Sequence, residues 1–243
     1  MHIIKLNATD STNTYLKKRR LSETLTDWTT IVAHEQQKGR GQSQNVWESE
    51  PGKNLTFSVL KNFKSFHIDK RFLINVCVSL AVIDFLKEYS IPDLSIKWPN
   101  DILSGNTKVC GILIENVLFG EHIKAAILGI GLNVNQTSFK SVSNASSMSL
   151  LSKRQFNLDE LLITLVPQMK DYFNQLAKEQ DTVLWNTYTD LLFRKDKPST
   201  FEGTDNTRFM GIIRGVSTAG KLVVELEDGV IAQFDLKQLR LLY

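Results

Sequence analysis

Cysteine is scarce. Cys77 and Cys110 are the only two in 243 residues, too few for a disulfide framework or a cysteine-built zinc site. No apolar run approaches the ~18 residues that a membrane-spanning helix needs. The opening Met1-His2-Ile3-Ile4-Lys5-Leu6 lacks the apolar stretch of an export signal, so a reducing cytoplasm without membrane contact is expected. His2, His34, His67 and His122 are spread along the chain without metal-ligand spacing, so no protein metal site is expected of them. Charge of one sign is also lacking. The net +3 comes from 29 Lys+Arg against 26 Asp+Glu and sits within the first 61 residues. That excess does not announce a nucleic-acid binder and suits an anionic small molecule or an acidic protein partner. Common enzyme signatures are missing too. There is no Gly-x-x-x-x-Gly-Lys-Ser/Thr phosphate loop, Gly129-Ile130-Gly131 lacks the third glycine of a dinucleotide fingerprint, and no Gly-x-Ser-x-Gly elbow occurs.

What is present is globular. Hydrophobic residues make up 42% and charged residues 23%, which excludes general disorder. Patterning predicts strands over residues 2–6, 29–35, 54–60, 94–98, 108–118 and 122–134. It predicts helices from the polar residues at 10–13 to about 20, and over 70–89, 159–178 and 181–193, with Pro167 bending the third. Near Pro198 the pattern changes to short alternating segments, 208–216, 221–227 and 230–236, with turns at Ala219-Gly220 and Asp228-Gly229. The expectation is an α+β domain over residues 1–195 and a small β-barrel domain over 196–243.

Four segments carry chemistry. Ser11-Thr12-Asn13 reads as a helix cap or as a cluster of neutral donors and acceptors for an uncharged polar ring. Gln36-Gln37-Lys38-Gly39-Arg40-Gly41-Gln42, with Trp47 after it, reads as a solvated loop. It also reads as a place where backbone approaches a ligand and a guanidinium reaches its anionic group. The whole segment 36–53 is too long for a hairpin turn, and mobility is expected of it. In Lys97-Trp98-Pro99-Asn100-Asp101 the proline ends a strand and turns two polar side chains out. An ordinary strand-to-turn boundary would look similar. In Lys108-Val109-Cys110-Gly111-Ile112-Leu113-Ile114-Glu115, alternation puts Lys108, Cys110, Ile112 and Ile114 on one face and leaves room at Gly111 on the other. Lys108 at the mouth of an internal face would need an anionic partner, whereas a lysine at an open strand end would snorkel. Cys110 reads as a small buried apolar group.

In this order the segments resemble the biotin protein ligases. The resemblance rests on Asp10-Ser11-Thr12-Asn13, Gly39-Arg40-Gly41 with Trp47, Lys97-Trp98-Pro99-Asn100-Asp101, Lys108-x-x-Gly111-Ile112-Leu113-Ile114-Glu115 and Gly129-Ile130-Gly131-Leu132-Asn133-Val134-Asn135. It implies a mixed sheet packed by helices, of the class II synthetase and biotin–lipoate ligase kind, followed by a Src-homology-3-like barrel. It implies a two-step reaction in which biotin and ATP, with Mg²⁺, give biotinyl-AMP and pyrophosphate. A lysine of a biotin carboxyl carrier protein, such as that of acetyl-CoA carboxylase, then takes the biotinyl group and releases AMP.

By the same resemblance, Ser11, Thr12, Asn13 and Gln36 hold the ureido ring, and Gly111 and Leu113 line the biotin pocket. Gly39, Gly41 and Gln42 of the loop belong to that binding set. Arg40 and Lys108 draw carboxylate and phosphate together and stabilise the transition state. Trp47, Asn100 and Asn133 lie near the nucleotide, and Asp101 orients the acceptor lysine. Two departures stand out. Gln42-Ser43-Gln44-Asn45 replaces the further arginines that often follow Gly-Arg-Gly in the family, so the loop carries less positive charge. The motifs also begin by residue 10, leaving no room before them for the helix-turn-helix of many relatives, so no specific DNA partner is expected. Family members can dimerise through the catalytic sheet. The alternatives are a lipoate–protein ligase, whose apolar ring would not call for the polar quartet, an inactive carrier-domain binder, and a nucleic-acid-binding module.

Overall fold

The computed structural model describes residues 2–42, 45–139 and 144–243. Two sheets organise the chain. Strand β1 (His2–Thr9) leads through helix α1 (Thr12–Ser22) to β2 (Thr29–Gln36), and the two strands pair in parallel. Then come β3 (Leu55–Asn62), helix α2 (Arg71–Glu88), β4 (Leu94–Lys97), β5 (Asp101–Ser104), β6 (Thr107–Phe119) and β7 (His122–Leu132). They complete a seven-stranded sheet in the order β1-β2-β3-β7-β6-β5-β4, antiparallel apart from its first pair. Helices α3 (Met148–Ser152), α4 (Leu158–Ala177) and α5 (Asp181–Asp190) follow. The second sheet is antiparallel, in the order β11-β10-β9-β8-β12, built from β8 (Pro198–Gly203), β9 (Arg208–Val216), β10 (Leu222–Leu226), β11 (Ile231–Phe234) and β12 (Leu239–Leu242). It corresponds to the expected small barrel.

Helix α2 is apolar on nearly every face because it is covered on nearly every face: Leu73 to Leu86 is buried almost without a break between the large sheet, α4 and α5. Helix α4 is capped by Asn157, whose Oδ1 accepts from the amides of Asp159 and Glu160. It continues through Pro167. The carbonyl that this proline leaves unpaired belongs to Ile163, an exposed residue, so water can satisfy it. Phe201, Ile213, Val216, Leu222 and Val224 of the barrel join the same buried cluster as α2. The barrel is thus packed into the main core.

The two faces of the large sheet differ, and the difference creates the site. One face, with Phe57, Val59, Leu128 and Ile130, packs against α2 and α4. The opposite face begins apolar under α1, where Leu16 meets Ile31, Leu60, Ala125 and Ile127. Two residues further along the same strands it turns to Ser58 and Gly129, and then to Gly131. Side chains alternate strictly along a strand, so these polar and glycine positions extend the α1 face into an uncovered trough.

Candidate active site

Ser11 stands at the N-cap of α1 with extended backbone, yet its side chain makes no capping bond. The cap alternative therefore leaves its hydroxyl unexplained. Ser11, Thr12 and Asn13 are all buried. Thr12 donates through its amide and its hydroxyl to Gln36 Oε1, at 2.8 and 3.1 Å. Asn13 Nδ2 donates to the Leu113 carbonyl at 3.1 Å and to Glu115 Oε2 at 2.9 Å. Ser58, fully buried on β3, lies 2.7 Å from Thr12 Oγ1 and 2.6 Å from Asn13 Oδ1. This close fit requires Gly129, where a Cβ would come within 2.3 Å of Asn13 Oδ1.

Proton counting shows what the cluster lacks. The Thr12 hydroxyl proton is directed to Gln36, and both amide protons of Asn13 are directed to acceptors. Ser58 has a single proton for two neighbouring oxygens, those of Thr12 and Asn13. Among Ser58, Thr12 and Asn13 the oxygens outnumber the protons, while the amide protons of Gln36 and the hydroxyl of Ser11 stand outside this count.

The other end is charged. Lys108 Nζ lies 2.6 Å from Asp101 Oδ1, with both side chains about a quarter exposed or less. That carboxylate is the anionic partner Lys108 was expected to need, and Asp101 is engaged by it. The face assigned to Lys108 by alternation is overturned. Ile102 pairs with Cys110 but Leu103 with Lys108, so Val109 is a surplus residue on β6. This bulge turns Lys108 onto the face of Gly111, where a Cβ would sit 3.2 Å from the lysine Nζ. Val109 and Cys110 both point into the core. Burial pushes the Cys110 thiol up, so it stays protonated and is no nucleophile. Arg40 donates to Glu115 Oε2 at 2.8 Å and is nearly half exposed.

The segment expected to be a mobile loop begins as a narrow hairpin. Arg40 bridges Val46, Gly41 N donates to the Asn45 carbonyl and Trp47 N to the Gly39 carbonyl. Ser43 and Gln44 lie outside the described residues. The hairpin lays the Trp47 indole on the paired glycines Gly111 and Gly131, with Lys108 Nζ 5.3 Å from the ring centre. Trp47 Nε1 and Gln42 Oε1 are buried without a hydrogen-bond partner among the described residues. Unpaired buried polar atoms are costly, so both suit a ligand's polar groups.

These parts surround one cavity of about 530 Å³. Ser11, Thr12, Asn13, Gln36, Arg40, Gly41, Gln42, Trp47, Asn100, Asp101, Lys108, Gly111 and Leu113 all line it. Gly39 and Asn133 do not. Gly39 sits behind the hairpin, where a Cβ would meet the Trp47 carbonyl oxygen at 2.4 Å. Asn133 is buried and donates to the Ser146 carbonyl at 3.0 Å, tying down the chain beside Lys108. Sequence reasoning passed over Ser58, for which spacing gives no signal, and Glu115, which was quoted but given no role. It also passed over the barrel's Lys237 and Arg240, which, among the described residues, bring the cationic side chains on the wall to five, with Arg40, Lys97 and Lys108. Among the described residues, Asp101 is the only carboxylate residue lining it.

The segment from Trp98 to Asp101 is held from several sides. Trp98 Nε1 donates to the Gly220 carbonyl of the barrel at 3.0 Å. The Pro99 carbonyl accepts from Asn75 and Tyr188, and Asn100 Nδ2 donates to the Ile112 carbonyl at 2.6 Å.

Fold and cavity together define an α+β domain whose one cavity is lined by neutral polar side chains at one end and cationic ones at the other. The chain belongs to the biotin/lipoate A/B protein ligase family, whose model matches residues 6–133. It is 27% identical over 210 residues to the bifunctional ligase/repressor BirA of Bacillus subtilis (strain 168), covering 83% of this chain and 63% of that protein. It is 34% identical over 131 residues to the biotin–[acetyl-CoA-carboxylase] ligase of Paracoccus denitrificans, covering 53% of each. Among solved structures, the biotin protein ligase from Aquifex aeolicus in complex with biotin and ATP superposes with a TM-score of 0.81 at 24% identity. The match covers 99% of this chain and 98% of that one, and the two share the fold. The chain thus spans less than two thirds of the length of these two curated relatives.

Proposed function

We propose that this chain is an AMP-forming biotin–protein ligase. The observation that carries the reading is the corner where Thr12, Asn13 and Ser58 hold more acceptor oxygens than protons, at one end of a cavity whose other end is cationic. A ureido ring supplies two N–H donors to that corner, and Ser11 offers a hydroxyl to its carbonyl. The biotin carboxylate then extends toward Arg40 and Lys108. Its oxygen attacks the α-phosphate of ATP, a new O–P bond forms, and the bond to pyrophosphate breaks. Arg40 and Lys108 offset the repulsion between the two anions and stabilise charge in the transition state. Holding the reactants in line supplies further acceleration.

In the second step a lysine amine of the carrier attacks the acyl carbon of biotinyl-AMP. The C–N bond forms, AMP leaves, and the amine proton is lost. Asp101, once Lys108 turns to the phosphate, is the carboxylate that orients this amine. The names of the relatives support a carboxyl carrier domain as acceptor. Among the described residues no three His, Cys, Asp or Glu side chains converge as a metal site, so Mg²⁺ is read as arriving with the nucleotide's phosphates. Residues 1–195 form the catalytic unit in this reading, and residues 196–243 lend it Lys237 and Arg240. Cys77 and Cys110 are both free and buried, which supports a reducing compartment such as the cytoplasm. No described helix is long and apolar enough to cross a membrane.

The test is pyrophosphate exchange with Mg²⁺-ATP and either biotin or lipoate. Exchange driven by biotin is expected. Exchange driven by lipoate alone would replace this reading with the lipoate ligase.

A further inference from the structure

Glu115 lies just outside the cavity, yet it touches both of the cavity's functional ends. Its Oε2 accepts from Asn13 Nδ2 at 2.9 Å and from Arg40 Nη2 at 2.8 Å. Its side chain is 24% exposed, and Lys17 stands 4.0 Å from the other oxygen. Asn13 itself is buried. An asparagine amide has no intrinsic preference for which end points where. Here the choice is forced, because the Leu113 carbonyl and the Glu115 carboxylate are both pure acceptors. Turning the amide over would set its oxygen against two other oxygens. Asn13 therefore turns Oδ1 to Ser58 and to Gly129, and both Asn13 and Gly129 line the cavity.

We infer that Glu115 is the positioning residue that fixes Asn13 as an acceptor, and so makes the site select a ligand N–H at that point. The inference rests on the biotin reading for the identity of the ligand. Without Glu115, one of the two contacts that orient the amide is lost, and Asn13 can offer its NH₂ toward the ligand, where two donors would face each other. Ser58 completes the device. Its single proton, shared between Thr12 and Asn13, lets Asn13 Oδ1 accept a ligand N–H while Ser58 turns to Thr12.

The experiment is calorimetric titration of the full chain with biotin and with two analogues, each methylated on one ureido nitrogen. Glu115→Leu should weaken biotin binding roughly 10- to 100-fold, the range for losing a buried hydrogen bond to a charged group. Glu115→Gln keeps an acceptor oxygen for Asn13 and Arg40 and should recover most of that loss. Discrimination against the analogue whose methyl faces Asn13 should narrow about tenfold in Glu115→Leu, while discrimination against the other stays put. Melting temperature, followed in parallel, separates positioning from general damage, and KM for ATP reports the freed Arg40. If wild type binds biotin but Glu115→Leu binds it equally well, the inference falls while the biotin reading stands. An equal narrowing for both analogues would also overturn the inference, since the effect would then not run through Asn13. Failure of the wild-type chain to bind biotin at all would overturn the biotin reading first, and with it the ligand named here.

Discussion

The two ends of the cavity are built on different physical terms. At the neutral end, Ser11, Thr12 and Asn13 are buried, and the side chains of Thr12 and Asn13 are fixed by partners on β2, β3 and β6. At the charged end Lys108 and Arg40 form ion pairs with Asp101 and Glu115 that a carboxylate or phosphate can replace. The neutral end is set for recognition before any ligand arrives, because a wrong partner leaves a buried polar atom unpaired. The charged end can exchange partners as the reaction proceeds. Binding and rate should therefore separate between the two ends.

The largest effect should come from the charged end. Lys108→Gln is expected to lower kcat for adenylation by about a hundredfold to a thousandfold, the scale for loss of one transition-state donor, with a much smaller rise in KM for biotin. Supplied with preformed biotinyl-AMP, the variant should recover more of its transfer than of its adenylation. Equal loss in both half-reactions would erase the proposed division. Gly129→Ala attacks the neutral end, because its methyl would lie 2.3 Å from Asn13 Oδ1. Biotin KM should rise at least about tenfold, as expected for a lost buried hydrogen bond, while ATP KM moves little. A matching rise for ATP would show that the ends are not independent.

Salt gives a gentler probe. Raising ionic strength from 0.05 to 0.5 M should raise ATP KM about three- to fivefold through screening of the cationic wall and raise biotin KM less, because biotin brings one carboxylate to that wall and a neutral ring to the other end. Alkaline pH should have the smallest effect. Burial raises the thiol pKa of Cys77 and Cys110 in the folded chain, so above ~8.5 only the unfolded chain releases these protons. Stability is then full below that pH and declines above it, by up to about 1.4 kcal/mol per thiol per pH unit. Denaturant titrations at pH 7.5 and 9.5 would show the decline, and Cys110→Ala should reduce it.

The parts of the fold legible in the sequence are those with long, repeated patterns. Helix α2 is marked by unbroken apolarity, and β6 and β7 by a long alternating pair joined at Gly120. Strand β5 was missed because it has four residues and begins on Asp101, inside the polar motif. Strands β8 and β12 were missed because they pair with each other across the whole barrel sequence, and local periodicity cannot show so distant a partner. The site was legible wherever a residue type implies its chemistry, as with the polar quartet, Arg40 and Lys108. It was not legible where contact depends on tertiary packing, as with Ser58 reaching back to Asn13 from β3 or Arg240 arriving from the barrel. The face of Lys108 was misread because a bulge leaves no mark in composition.

That bulge makes the direction of Lys108 a matter of parity. Val109 is the odd residue that lets Lys108, Gly111 and Asp101 share one side of the sheet. Replacing Val109 by another apolar residue preserves the count and should leave the lysine where it is. Deleting it leaves Lys108 two residues before Gly111 and so on the same face, whereas flattening the bulge with Val109 still in place would swing the ammonium to the side of Cys110 and the packed interior, where a charge has no counter-ion. Across related sequences this stretch should therefore either carry the surplus residue as a bulge or lack it altogether, the lysine facing the cavity in both cases.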